Sequence, residues 1–256
     1  MKLDAYKLKW IAIIGMVLNH IVIAWWDIIP LGLAYPFYLV GGFTFPIMGF
    51  FVVEGYKHTS NLKRYVGRIL IVGLIALPFH FLTLGLAFAP NLNIMFTIAL
   101  SLGVLVLYDK LNRVVFWLLF ILVILPLSPF LFEWAPQGIL MVLLYYIIRN
   151  EKARRIVPPI AAVIFSMVFS IVIALISGGI EPDPYATGML ADPHFGLVSL
   201  TFIVGMLVVP LLLLAYNGER GRKMKWLFYT FYPAHLAILA IVALILGLVD
   251  FSSLGF

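Results

Sequence analysis

Three histidines stand in the middle of long apolar runs, where an ionisable side chain is costly and faces a bundle interior or a cavity. His20 lies ten positions beyond Trp10, His235 nine beyond Trp226 and His80 twelve beyond Arg68. At the helical rise they sit roughly 13–18 Å along their helices, near the middle of an ~30 Å hydrocarbon core. Imidazole is the side chain whose ordinary pKa suits proton transfer near neutrality. A buried pair among the three is therefore what a proton-shuttling enzyme or a proton-coupled carrier would need. The structural alternative is a neutral histidine hydrogen-bonded between helices. Asn19 adjoins His20 but points about 100° around the helix, so it would orient a neighbouring group or a substrate rather than His20 itself.

Two further clusters carry polar groups. Tyr229, Tyr232 and His235 recur at i, i+3, i+6, and Pro233 removes a backbone donor among them, which kinks a helix beside the buried histidine. Glu54 and His58 share a face at i, i+4, with Tyr65 and Arg68 following in the next element. Glu54 is expected to pair with Arg68 or a neighbouring lysine. With Lys57, Lys63, Arg64, Arg222, Lys223 and Lys225, this cluster could form a basic rim for an anionic cofactor; plain basic loops are the structural alternative. The chain has no cysteine, which excludes disulfides, thiolate metal sites and a cysteine nucleophile, and no ligand set calls for a metal.

The elements that hold these residues follow from composition. Of 256 residues 64% are apolar and only 11% charged, against the ~25% charged of soluble domains. In lipid every backbone polar group must be paired internally, so only helices or closed barrels are possible, and the apolar runs lack the alternation of barrel strands. The fold class is all-α: a polytopic integral membrane helical bundle. About nine transmembrane helices are expected, near 8–26, 36–56, 67–87, 94–108, 114–131, 134–149, 156–177, 195–216 and 226–248, the fourth and sixth being short. All 17 basic residues fall on one side of that threading, which puts the N-terminus in the cytoplasm and the C-terminus outside. The net charge of +6 is thus explained by topology and not by a nucleic-acid partner. Gly41, Gly42 and Pro46 at the head of the second span would permit close helix approach. The longest loop, 177–194, is external and rich in Gly, Pro and Asp, a lid or a plain connector.

In order and spacing these stretches resemble the TraX family of bacterial membrane proteins. The resemblance is carried by Asn19-His20; by Gly42-Phe43-Thr44-Phe45-Pro46 leading to Glu54-Gly55-Tyr56-Lys57-His58-Thr59 and on to Tyr65 and Arg68; by Asn93-Ile94-Met95-Phe96-Thr97; by Glu133-Trp134 with Gly138; and by Lys225 to Tyr229 with Phe231 to Leu236. It implies a single TraX-like transmembrane domain over residues 1–256, in the bacterial cytoplasmic (inner) membrane. It also implies an acyltransferase: the family is named for a conjugative-pilus protein that acetylates the N-terminal amine of pilin, with acetyl-CoA as donor. The family pattern has aspartate before the first-span histidine and arginine before the Phe-x-x-Pro stretch, where this chain has Asn19 and Gly42.

The expected activity is transfer of an acetyl or other short acyl group from a cytosolic CoA thioester to an amine or hydroxyl of a peptide, pilin-like or glycan acceptor. His235 or His20 would take the acceptor's proton, and Tyr232 or Asn93 would donate to the developing oxyanion. Glu54, His58, Lys63, Arg64, Arg68, Lys225 and Asn19 would hold cofactor or substrate, with acetyl-CoA or another acyl-CoA as co-substrate and no metal. Membrane lipid is the surrounding partner. The rival readings are a proton-coupled carrier or flippase, and a non-catalytic scaffold of a conjugation or secretion machine.

Overall fold

The computed structural model describes residues 2–84, 91–176 and 192–248. Among these the regular structure is helical, with two isolated bridges and no strand. Helix α1 (Ala5–Ala24) starts at Asp4, whose carboxylate accepts from the Lys7 amide at 2.8 Å. The expected second span begins earlier, at Leu31, and is divided into α2 (Leu31–Gly41) and α3 (Thr44–His58). Pro46 has no N–H to offer the Gly42 carbonyl, so the helix cannot run through unbroken, and the Thr44 hydroxyl bonds the Ala12 carbonyl of α1 instead, at 3.1 Å.

Helix α4 (Leu62–Thr83) is capped by Asn61 and α5 (Ile94–Lys110) by Asn93. Helix α6 (Arg113–Leu119) continues through a π turn, Phe120–Ile124, ahead of Pro126 and ends in a 3₁₀ turn at Ser128–Phe130. The remaining helices are α7 (Gln137–Ile147), α8 (Glu151–Ile176), α9 (Phe195–Leu214) and α10 (Lys225–Ile245).

Among the described residues seven helical segments are long and apolar enough to cross a membrane: Ala5–Ala24, Leu31–His58, Leu62–Thr83, Arg113–Phe130, Glu151–Val172, Phe195–Leu214 and Leu227–Ile245. The protein is a polytopic helical membrane protein. Helices α5 and α7, at the two positions where the sequence reads short spans, are 17 and 11 residues long. They sit at the centre: Leu102, Leu105, Ile139, Met141, Val142, Leu143 and Tyr145 have no exposed surface. The outer helices turn apolar side chains such as Leu74, Leu122, Ile171 and Leu211 outward, as lipid-facing surfaces do.

The basic loops gather at one end. Leu3 pairs with residues 215–217, Arg155 donates to the Tyr216 carbonyl, and the Tyr56 and Tyr146 hydroxyls both bond Asp109. At the opposite end Leu92 pairs with residues 131–133, and Trp26 donates to Asp192 at 3.2 Å. The expected external loop 177–194 lies outside the described residues up to residue 191.

Close backbone approach is built on glycine, as the sequence anticipates at Gly41 and Gly42. A Cβ on Gly42 would stand 2.2 Å from the Phe202 carbonyl oxygen of α9, and one on Gly205 of α9 only 1.9 Å from the Leu39 carbonyl oxygen of α2. The arginine of the family pattern has no room at Gly42 in this packing. Helix α4 lies along α10 and on α5, whereas α1 packs on α2 and α3, and α10 touches α1 over a short length. The space left between these two groups is where the candidate site lies.

Candidate functional site

The short meeting of α1 and α10 is made by two buried histidines. Nδ1 of His20 lies 2.8 Å from Nε2 of His235, with the rings nearly parallel at 12°. Nδ1 of His235 lies 3.0 Å from the Phe231 carbonyl oxygen, which can only accept. His235 therefore carries its proton on Nδ1, and its Nε2 accepts from Nδ1–H of His20. In a neutral pair this leaves the unshared basic lone pair on Nε2 of His20. Phe231 also stacks on His235, centroids 5.3 Å apart and planes within 9°.

One turn nearer the basic end, a cavity of about 660 Å³ opens between α1, α3, α4, α5 and α10, within the ~300–1,000 Å³ usual for cofactor sites. Its mouth carries Lys9, His58, Arg68, Arg220 and Arg222 against one carboxylate, Glu54. Its floor is apolar, formed by Met16, Met48, Met95, Ile98, Phe231 and the ring of Tyr232. Aromatic rings hold the mouth cations in place: Lys9 Nζ stands 4.9 Å from the Phe51 ring centre, and Arg68 lies over Tyr229 while its Nε donates to that hydroxyl at 3.3 Å.

Glu54 does not pair with Arg68 or a nearby lysine. Its carboxylate binds Arg154 of α8, which also bonds Glu151 at 2.8 Å and is only 4% exposed. Sequence proximity favoured Arg68, but α8 brings a guanidinium to the same end of α3, and Arg68 turns to α10. Burial and then the Glu54 carboxylate push the Tyr216 phenol of the mouth upward from its ordinary pKa.

Of the expected site residues, Glu54, His58, Arg68 and Tyr232 line the cavity, and His20 and His235 lie just beyond its floor. Lys63 and Arg64 are exposed on the first turn of α4, apart from its lining. The side chain of Lys225 lies outside the described residues. Asn19 faces α2, where a Cβ on Gly41 would stand 2.7 Å from its own Cβ, and its Oδ1 is buried without a hydrogen-bond partner. Asn93 is engaged in structure: Oδ1 accepts from the Met95 amide at 3.1 Å and Nδ2 donates to the Gly73 carbonyl at 2.9 Å, tying α5 to α4. The Tyr232 hydroxyl and the His80 ring are buried beside the Ile94 and Asn91 backbone respectively, without a well-formed hydrogen bond. Lys9, Arg154 and Arg220 escaped the sequence reading; a lysine inside the first apolar run was the signal for Lys9.

A second set of motif residues forms a brace behind the floor. Glu133 accepts from the Ile94 amide at 3.0 Å, and its own carbonyl accepts from the Thr97 hydroxyl. Although Glu133 keeps some exposed surface, protein packed around its carboxyl pushes it up to about 7. Trp134, held at φ 65°, stacks on Phe45 at 4.7 Å, and Phe45 fits against Gly138, where a Cβ would approach it to 2.7 Å. Among the described residues no three His or carboxylate side chains converge as a metal site would require.

No solved structure matches the chain. A protein of Dichelobacter nodosus described as a probable fimbrial assembly protein FimC, serogroup H1, is 35% identical over 113 residues, covering 39% of this chain and 44% of that relative. The chain thus spans less than half the length of this curated relative. The family described as TraX protein matches residues 5–243, which include the histidine pair, the cavity and the brace. The chain belongs to the TraX family.

Proposed function

We propose that this protein is a membrane-embedded acyltransferase that moves an acetyl or other short acyl group from a CoA thioester to an amine or hydroxyl acceptor. The observation that carries the reading is the cavity: a cationic mouth leads to an apolar floor one helical turn from the His20–His235 pair. Phosphates of CoA would be held by Arg68, Arg220, Arg222 and Lys9, with the pantetheine arm running down to the floor. The basic end then faces the cytosol across the cytoplasmic membrane, where CoA thioesters are available.

In the transfer step the acceptor nitrogen or oxygen attacks the thioester carbonyl, a new C–N or C–O bond forms and the C–S bond breaks. The proton leaving the acceptor goes to Nε2 of His20, one turn beyond the floor, by way of a bridging water, and CoA departs as its thiolate. His235 acts as a positioning residue: its accepting Nε2 fixes the His20 tautomer and shares the charge that develops. The resemblance to pilin acetylation, together with the fimbrial assembly role in the description of the Dichelobacter relative, favours the N-terminus of a pilin-like chain as acceptor.

The test is calorimetric titration of the detergent-solubilised protein with acetyl-CoA, beside an Arg68→Ala/Arg220→Ala/Arg222→Ala variant. Saturable binding that the variant loses is expected. If no CoA species binds the wild-type protein, the acyltransferase reading fails.

A further inference from the structure

Four of the nine methionines, Met16, Met48, Met95 and Met224, line this one cavity, and the first three come from different helices to meet at its floor. What lies behind the floor cannot yield. Met16 is one turn before His20 on α1, and Phe231 one turn before His235 on α10, so the paired imidazoles, each 5% exposed, fill the space directly beyond. On the α5 side a Cβ on Gly73 would stand 3.0 Å from the Met95 Cβ, and the Asn93 amide is bonded to the Gly73 carbonyl, so the α4–α5 seam is closed at backbone level. Side-chain motion is what can enlarge the floor: methionine, unbranched and with three rotatable bonds, moulds to a small group, and the histidine pair and the α4–α5 seam behind it set the limit.

We propose that Met16, Met48 and Met95 form the acyl end of the cofactor cavity and set the chain length of the transferred group, admitting short acyl chains and excluding long ones. The inference rests on the acyl-CoA reading of the same cavity. A short acyl group is covered by rotamer shifts of the three thioethers. A long one would have to enter the volume of the histidine pair or part the α4–α5 seam. Truncation of a floor methionine removes Cγ, Sδ and Cε and leaves a slot in which further methylenes are buried; apolar pockets discriminate by roughly tenfold or more per such change.

The test is calorimetric titration of the full chain in detergent with free CoA, acetyl-CoA, butyryl-CoA and octanoyl-CoA. Wild type is compared with Met16→Ala, Met48→Ala and, as a control on the lipid-facing side of α8, Met167→Ala, which is 48% exposed in wild type. Free CoA and acetyl-CoA are expected to bind wild type, with octanoyl-CoA weaker than acetyl-CoA by about tenfold or more. Either floor variant should reverse that order, whereas Met167→Ala keeps the wild-type profile. Met48 is only half-buried, so its variant reads the floor even if Met16→Ala folds poorly. Binding of acetyl-CoA with one and the same chain-length profile in wild type and both floor variants overturns the acyl-end assignment and leaves the acyltransferase reading standing. Failure of every CoA species, free CoA included, overturns both.

Discussion

Arg154 of α8 grips the carboxylate of Glu54 on α3 while itself almost wholly enclosed, so two helices far apart in sequence are locked together at the rim of the cavity. Removing one member of such a pair strands the other charge, a loss of about 3–5 kcal/mol when both are fully buried. Glu54 keeps 29% of its side chain exposed, which places the expected cost nearer the lower figure. Arg154→Ala should lower thermal stability strongly, and Glu54→Gln/Arg154→Met should recover part of the loss. A double variant no more stable than Arg154→Ala would show that packing rather than charge is lost.

The tautomer chain separates the roles of the two histidines. His20→Gln removes the basic lone pair and should reduce transfer by roughly 10²–10⁴-fold. His235→Gln keeps an oxygen that can accept from Nδ1–H of His20 and should cost clearly less. Single-turnover transfer to an acceptor peptide, followed by mass spectrometry, measures both. Equal losses would show that the two imidazoles act as one unit and overturn the division into base and positioning residue.

The mouth predicts which cations matter. Arg220→Ala and Arg222→Ala should each weaken acetyl-CoA binding, and the salt dependence of binding should diminish with each charge removed. Lys63→Ala and Arg64→Ala should change affinity little, because both side chains are exposed apart from the cavity lining. Titrations at low and moderate salt decide the matter.

Glu133 predicts a pH effect on stability. Its folded pKa of about 7 lies above the ordinary 4.5, so between those values the folded state binds more proton than the unfolded state. The contribution of this group is present at pH 4.5 and below and is lost as pH rises through 7. Wild type should therefore lose stability from pH 5 to pH 8 relative to Glu133→Gln, read as the difference in unfolding temperature. Parallel curves would remove Glu133 as the source.

Gly205→Ala should be damaging out of proportion to its size. The added methyl would meet the Leu39 carbonyl, a backbone atom that cannot swing aside, and overpacking of this kind costs about 1–3 kcal/mol. Folded yield and unfolding temperature report it, with Gly196→Ala, where nothing lies within 4 Å, as the comparison.

Much of this was legible in the residues themselves. The apolar runs and the one-sided distribution of lysine and arginine located the helices and the basic end, and depth marked His20, His80 and His235, of which the first and last meet. Pairings between distant elements were not legible. Glu54 had several cations nearby in sequence, and nothing local distinguishes them from Arg154, which only the docking of α8 delivers. Asn93 reads as a candidate oxyanion donor because the sequence does not reveal that α4 presents the Gly73 carbonyl to it. Arg220 looked like an ordinary loop charge until α1 and the residues before α10 were brought together around the mouth.

The pairing of Leu3 with residues 215–217 sets the order in which the molecule can be completed during synthesis. The first helix enters the membrane long before its partners at the basic end exist. Lys9 and Met16 wait for Arg220, Phe231 and Tyr232 to emerge from the ribosome, as His20 waits for His235. A nascent chain halted anywhere before α10 has neither a closed mouth nor a paired imidazole, so the cavity and the histidine pair come into being together, only once α10 has joined the helices made before it.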